Sequence, residues 1–348
     1  MVITQSRTKY AFLDLLRVIA CFLVIVNHTN STIFLSTTPA DPNWFLSVIY
    51  FFVSKIAVPL FLMISGYLLL SKEDSWRKIA QRVARIVIVL LACAVIYATY
   101  SVFFVEHLNS VPAVLKRVAT VYFLSPTNAL WYLYAYIGIL ITLPFLQKMS
   151  ARMSRTDYHV FFIISGLFFS LLPILNHYNA YFTYNGNFFI PLFSSYICML
   201  FIGQYFRKFK IEKTKMAVLF ACITFVLMVA FNVVATYHEF YNSTSGYLFF
   251  DNITYFPIIV ASACVFYLVS VWEVKQKTAK TVSYIGSCTF GIYLISDLFI
   301  VIETPVFQAL SGVLHPMIAV ILFEGLVFAS GLALTAVLKK VPLVKKVL

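Results

Sequence analysis

Charge is scarce in this chain: Asp, Glu, Lys and Arg together make up 11% of its 348 residues, against about 25% in an ordinary soluble domain. So few charged groups cannot coat a globular surface, and a water-soluble fold is excluded. Acidic residues are the scarcer sign, 13 against 26 basic ones. Glycine numbers only 11, and the sequence holds no Gly-rich phosphate loop, zinc motif or hydrolase-like segment. The six cysteines (Cys21, Cys93, Cys198, Cys222, Cys264, Cys288) all lie in apolar stretches without metal-ligand spacing. They read as buried free thiols, so no metal is expected and the redox compartment stays open. No repeat, low-complexity tract or linker divides the chain, and a single membrane-embedded domain over 1–348 is expected.

What the chain has is apolar length. Hydrophobic residues make up 61%, gathered into ten segments near 11–30, 45–70, 86–105, 129–147, 158–176, 188–206, 216–237, 252–272, 282–303 and 316–338. Each is long enough for a transmembrane helix, and a bilayer needs about 20 apolar residues per crossing. The expected fold is therefore all-α, a polytopic bundle of about ten helices in the lipid bilayer. The first segment contains Asp14 and Arg17 and is followed by no small-residue cleavage site, so it reads as a retained helix rather than a signal peptide.

The formal charge of +13 does not point to nucleic acid, because the basic residues form short clusters between apolar stretches. With the N-terminus inside, 22 of 26 fall in inner segments: Arg7 and Lys9; Lys72 to Arg85; Lys148 to Arg155; Arg207 to Lys215; Lys275 to Lys280; and Lys339 to Lys346. Only Lys116 and Arg117 fall outside, while Arg17 and Lys55 lie within spans. That bias predicts both termini in the cytoplasm of a multi-pass cell-membrane protein. Residues 106–120 are expected to form an interfacial helix, which accounts for Lys116 and Arg117. The aromatic runs His177–Tyr181 and Tyr237–Asn242 read as outer loops, and the sequons at Asn30, Asn242 and Asn252 matter only in a secretory pathway.

Charged groups inside a span are costly and mark candidate sites. The first segment holds Asp14, Arg17 and His28. Arg17 and His28 are eleven residues apart, which returns to within roughly 20° of one helix face at an axial offset of about 16 Å. Asp14 is one turn before Arg17 and can pair with it. Lys78, Arg82 and Arg85 share a face at the inner start of the third segment, a pattern suited to phosphate or to topology alone. Lys55, Asp297, Glu303 and Glu324 are expected to form buried ion pairs, Lys55 with Asp297 or Glu324; Asp297 could instead orient His28. Ser65 and Gly66 suit close helix packing.

These residues carry a resemblance. Phe12-Leu13-Asp14-Leu15-Leu16-Arg17 running on to Val26-Asn27-His28 resembles the first helix of acyltransferase family 3, an Arg, ten residues and a His. Val58 to Tyr67, ending Ser-Gly-Tyr, resembles its second-helix segment, and Arg82 with Arg85 its paired arginines. Leu130-Trp131-Tyr132-Leu133 and Ser283 to Ile295 resemble two later segments. Where relatives commonly place His after Tyr-Leu-Ile, this chain has Ser296 and then Asp297, so any catalytic role of that His is absent or altered. The resemblance implies an O-acyltransferase moving an acyl group, usually acetyl, from acetyl-CoA to a hydroxyl of a cell-surface polysaccharide or lipid-linked glycan. On that reading acyl-CoA is the donor substrate and no cofactor is permanently bound. His28 would be the general base, helped by Asp14, with Arg17, Lys78, Arg82 and Arg85 holding the donor.

Two other classes would use similar features. A secondary transporter or flippase also needs many helices and intramembrane charges, and Pro59 and Pro257 could interrupt spans as transporters require. A sensor or assembly factor would need no single indispensable polar residue.

Overall fold

The computed structural model of the protein describes residues 10–121, 124–183, 194–242 and 248–347. Among the described residues there is no strand. The chain runs as α1 (Ala11–Ser36), α2 (Pro42–Ser54), α3 (Ala57–Leu69) and α4 (Trp76–Tyr100), the last extended by a π turn to Val105. Then come α5 (Val111–Ala119), a 3-10 turn Asn128–Leu130, α6 (Trp131–Arg152), and α7 (Arg155–Gly166), which continues through a π turn into α8 (Leu172–Tyr178). After α9 (Ser195–Lys208) and α10 (Lys215–Asn242), a 3-10 turn Phe249–Asp251 leads to α11 (Phe256–Ser270). The chain closes with α12 (Gln276–Gly286), α13 (Thr289–Ser311), α14 (Pro316–Leu338) and α15 (Pro342–Val347).

Nine helical stretches among the described residues are long and apolar enough to cross a membrane. They correspond to nine of the ten expected segments, and the protein is a multi-pass helical membrane protein. The remaining segment, 188–206, begins outside the described residues, as do Arg7 and Lys9; its described part is the 14-residue α9. Helix α5 occupies the expected stretch, capped by Ser110, and its Arg117 pairs with Glu106 at 2.5 Å. Of the aromatic runs read as outer loops, Tyr237–Asn242 is the end of α10, while the first run holds the last two residues of α8, His177 and Tyr178, and then a 3-10 turn at Ala180–Phe182. The two runs meet where His177 Nε2 lies 2.8 Å from Glu239 Oε2. Asn30 is fully buried in α1, its amide donating to the Ser47 carbonyl at 2.7 Å, so that sequon is inaccessible to a glycan.

Helix α1 is central and packs against α2, α3, α11, α12, α13 and α14. The segment expected as one span at 45–70 is broken at Lys55–Ile56 into α2 and α3. The cause is Pro59, which has no N–H to give the carbonyl of the residue four before it, Lys55, and whose ring crowds that carbonyl. Pro257 breaks nothing; it sits in the first turn of α11, where a missing N–H costs little. Across the bundle, α3 and α9 cross with backbones nearly touching. A Cβ on Gly66 would lie 1.9 Å from the Leu200 carbonyl oxygen, and one on Gly203 would lie 1.8 Å from that of Met63. Small residues at a crossing let dispersion contacts and weak polar contacts form where lipid offers no hydrophobic drive.

Candidate active site

Arg17, Val24, Asn27 and His28 of α1 line a single cavity of about 860 Å³. The spacing 17, 24, 28 keeps one face of a 3.6-residue helix, so the shared stripe expected from the sequence is realised. The volume falls within the range of small-molecule sites, about 300–1,000 Å³. Its other walls come from α3 (Val58, Phe61, Ser65), α6 (Tyr132, Tyr136) and α13 (Phe290, Tyr293). Arg85 of α4 lines it too, and its charge and that of Arg17 both act on Tyr136, whereas Lys55, which lines it with Asp251 and Asn252, faces His28.

Asp14 sits beside the cavity rather than in its lining. Its Oδ1 lies 2.6 Å from Arg17 Nη1, and its Oδ2 accepts from the Ser283 hydroxyl at 2.8 Å. Helix α12 is drawn close there, because Gly286 leaves room: a Cβ on it would stand 2.9 Å from that of Asp14. Fourteen residues separate Asp14 from His28, an axial distance of about 21 Å. The structure therefore brings Asp14 to Arg17 and not to the imidazole.

His28 is faced by the charges of Asp297 and Lys55. Asp297 accepts from the Ala129 backbone N–H at 3.3 Å, at the start of the turn leading into α6. The Ala129 carbonyl in turn accepts from the Tyr293 hydroxyl at 2.6 Å. Next to His28 on the wall, Asn27 Oδ1 is buried and has no hydrogen-bond partner among the described residues. A polar atom left open towards a cavity is suited to a ligand hydroxyl or amide.

The expected partners of Lys55 are corrected. Its ammonium lies 3.3 Å from Asp251 Oδ2 and 4.4 Å from the centre of the Phe51 ring, so neither Asp297 nor Glu324 is its ion-pair partner. The helix break at Pro59 frees Lys55 from a continuous helix and lets it reach the Phe249–Asp251 turn. Glu324 is fully buried and takes two hydroxyl donors instead of a cation, Tyr50 at 2.6 Å and Thr29 at 2.7 Å.

The basic trio at the inner end is not uniform. Lys78 and Arg82 both pair with Asp74, at 2.5 and 2.7 Å, and neither lines the cavity. Arg85 does line it, and its Nε donates to the Val347 carbonyl at 2.8 Å. Asp74 is a residue that sequence reasoning missed. It is also fixed by Gln147, whose side chain bonds its backbone N–H, its carboxylate and the Leu69 carbonyl. Burial alone would raise the Asp74 carboxyl, but hydrogen bonds from Lys78 and Gln147 and the Arg82 charge hold it below the usual carboxylate range.

A folded pKa below the unfolded one contributes stability above about pH 4 that is lost as pH falls through the folded value. Asp74→Asn is accordingly expected to lower the thermal midpoint at pH 7, by a difference that shrinks as the pH falls below about 4. A midpoint difference that persists undiminished in acid would remove the carboxylate charge from this account.

Sequence comparison decides the class. The family model for the acyltransferase domain, acyltransferase family 3, matches residues 10–339, nearly the whole chain. The chain belongs to acyltransferase family 3. No curated protein and no solved structure gave a match. The chain is therefore an O-acyltransferase, and the cavity that joins Arg17 to His28 is its candidate active site. Of its motif residues, Arg17, His28, Ser65, Arg85, Tyr132 and Tyr293 lie on the cavity wall, whereas Asp14, Gly66 and Arg82 do not. The acyltransferase also places Lys55, Ser65, Tyr136, Asp251 and Asn252 on that wall. Lys55 is marked in the sequence by its charge within a span, Ser65 only for helix packing and Asn252 only as a sequon, while Asp251 and Tyr136 carry no signal there. Among the described residues no cluster of His, Cys, Asp and Glu could hold a metal ion.

Proposed function

We propose that this acyltransferase moves an acyl group, acetyl in the simplest case, from cytoplasmic acyl-CoA to a hydroxyl of a cell-surface polysaccharide or lipid-linked glycan. The protein would lie in the cell membrane with both termini in the cytoplasm, as the distribution of Lys and Arg favours. One observation carries the reading: a single cavity has arginines at one end and a histidine about 16 Å further along. That offset is on the scale of an extended pantetheine arm.

The donor's phosphates would meet Arg85 at the inner end, with Arg17 held in place by Asp14. The thioester would then lie near His28. The acceptor hydroxyl enters from the end lined by Lys55, Asp251 and Asn252. His28 takes the hydroxyl proton as the oxygen attacks the thioester carbonyl carbon. The C–S bond breaks, the ester forms, and the proton passes on to the departing thiolate. Asp297 stabilises the imidazolium in between, which makes it a positioning and electrostatic residue in place of the absent family His.

The broken helix at Lys55 is the feature a transporter would share, but family membership favours chemistry over transport. Purified protein, radiolabelled acetyl-CoA and glycan acceptors test the reading: label is expected in the glycan fraction. Label that remains wholly in acetyl-CoA with every glycan class offered would count against it. Arg85→Ala is expected to raise the KM for acetyl-CoA about tenfold, less so at high salt, and more than Arg82→Ala does. Equal effects of the two substitutions would separate the donor from Arg85.

A further inference from the structure

Between Arg17 and His28 the cavity wall is mostly apolar, formed by Val24, Phe61, Ile64, Leu68 and Phe290. Among the hydroxyl residues of the lining are Tyr132 and Tyr136 of α6 and Ser65 of α3. Tyr132 and Tyr136 are one turn apart on α6, and their rings are stacked with centroids 5.8 Å apart and planes 18° from parallel. Both phenols interact with the hydroxyl of Ser65 on α3. The Tyr132 ring is also held edge-on by Tyr293, at 6.2 Å. Tyr136 lies within the field of Arg82, Arg85 and Arg17. Tyr132 is nearer the Tyr293–Ala129–Asp297 chain that faces His28. The hydroxyls therefore form a series running from the cationic end of the cavity towards the imidazole.

We propose that Tyr132, Tyr136 and Ser65 form a hydroxyl ladder that binds the two amides of the donor's pantetheine arm. This rests on the acyl-CoA reading and adds to it the subsite that carries the arm across the apolar stretch. An amide that leaves water for an apolar wall needs a replacement hydrogen bond. The two amides of pantetheine are separated by two methylenes, a spacing of about 5 Å at ordinary bond lengths. One helical turn sets Tyr132 and Tyr136 about 6 Å apart along the axis, a close match. With the phosphates at Arg85, the amide nearer the nucleotide falls to Tyr136 and the one nearer the thioester to Tyr132. Each phenol can donate to an amide carbonyl or accept from an amide N–H, so the ladder accepts the arm in either rotation.

The test is competition against radiolabelled acetyl-CoA bound to the purified protein. S-Acetylpantetheine carries both amides, and N,S-diacetylcysteamine carries only the one beside the thioester. In Tyr136→Phe the affinity for S-acetylpantetheine is expected to fall about tenfold while that for N,S-diacetylcysteamine is unchanged. In Tyr132→Phe both should fall. Unchanged binding of the smaller thioester by Tyr136→Phe also shows that the variant is folded. If Tyr136→Phe weakens both thioesters equally, or neither, the ladder is overturned while the donor reading stands. If the wild-type protein does not bind labelled acetyl-CoA, the donor reading and the ladder fall together.

Discussion

Alanine in place of His28 is expected to reduce acyl transfer by a factor of about a hundred to ten thousand, the usual worth of a positioned acid–base group. The argument is geometric before it is electrostatic. His28 faces the same cavity as Arg17 and Arg85, with the unpartnered Asn27 Oδ1 beside it. An imidazole there can both take and return a proton. The loss should appear in kcat, with donor affinity retained, because Arg85 and the hydroxyl groups of α6 lie elsewhere on the wall. His28→Gln, which keeps a polar side chain of similar reach, should be as inactive as the alanine variant. Transfer at wild-type rate in either variant would place the chemistry away from His28. A loss of acetyl-CoA affinity with an unchanged turnover rate would instead make it a donor-binding residue.

The second large effect is on folding. Gly66→Val and Gly203→Val each put a branched side chain where even a Cβ would sit under 2 Å from a backbone carbonyl of the partner helix. Carbonyl oxygen cannot rotate away as a side chain can, so α3 and α9 must separate. Overpacking commonly costs about 1–3 kcal/mol, and a forced backbone separation belongs at or above the upper end. The expected readout is a marked loss of monodisperse protein in detergent and a lower thermal midpoint. Gly138→Val is the matched control: it lies in the same kind of apolar helix, yet a Cβ there meets nothing within 4 Å. Equal behaviour of Gly66→Val and Gly138→Val would show that the crossing of α3 and α9 carries no weight in the fold. Ser65 is adjacent to Gly66, so this contact also sets the depth of the cavity wall on α3.

The helical membrane class and most of the spans were legible because both rest on composition and run length, which need no partner to interpret. The common face of Arg17 and His28 was legible for a similar reason, since the helical period alone relates two residues on one helix. Ion pairs were not. Lys55 was expected to meet Asp297 or Glu324, and it meets Asp251. That pairing depends on a helix break, on a turn almost two hundred residues later in the chain, and on their distance in space. Asp74 escaped notice because it lies in a short polar linker, where an acid next to bases usually marks a solvated loop. Its side chain is only 4% exposed in the fold, since Gln147 of α6 closes over it. The basic trio was read as one unit from its spacing, yet Asp74 divides it, engaging Lys78 and Arg82 and leaving Arg85 on the cavity wall.

By itself the sequence determined that this chain must live in lipid, that it does so as helices, and which stripe of α1 carries its cation and imidazole. Those follow from solvation and from the period of a single helix, both local properties. Only the tertiary structure decided that the stripe faces a cavity rather than lipid or a packed neighbour, and which groups share that cavity. That choice is made by how α3, α6 and α13 pack around α1, and packing is a relation among distant segments that no local pattern encodes.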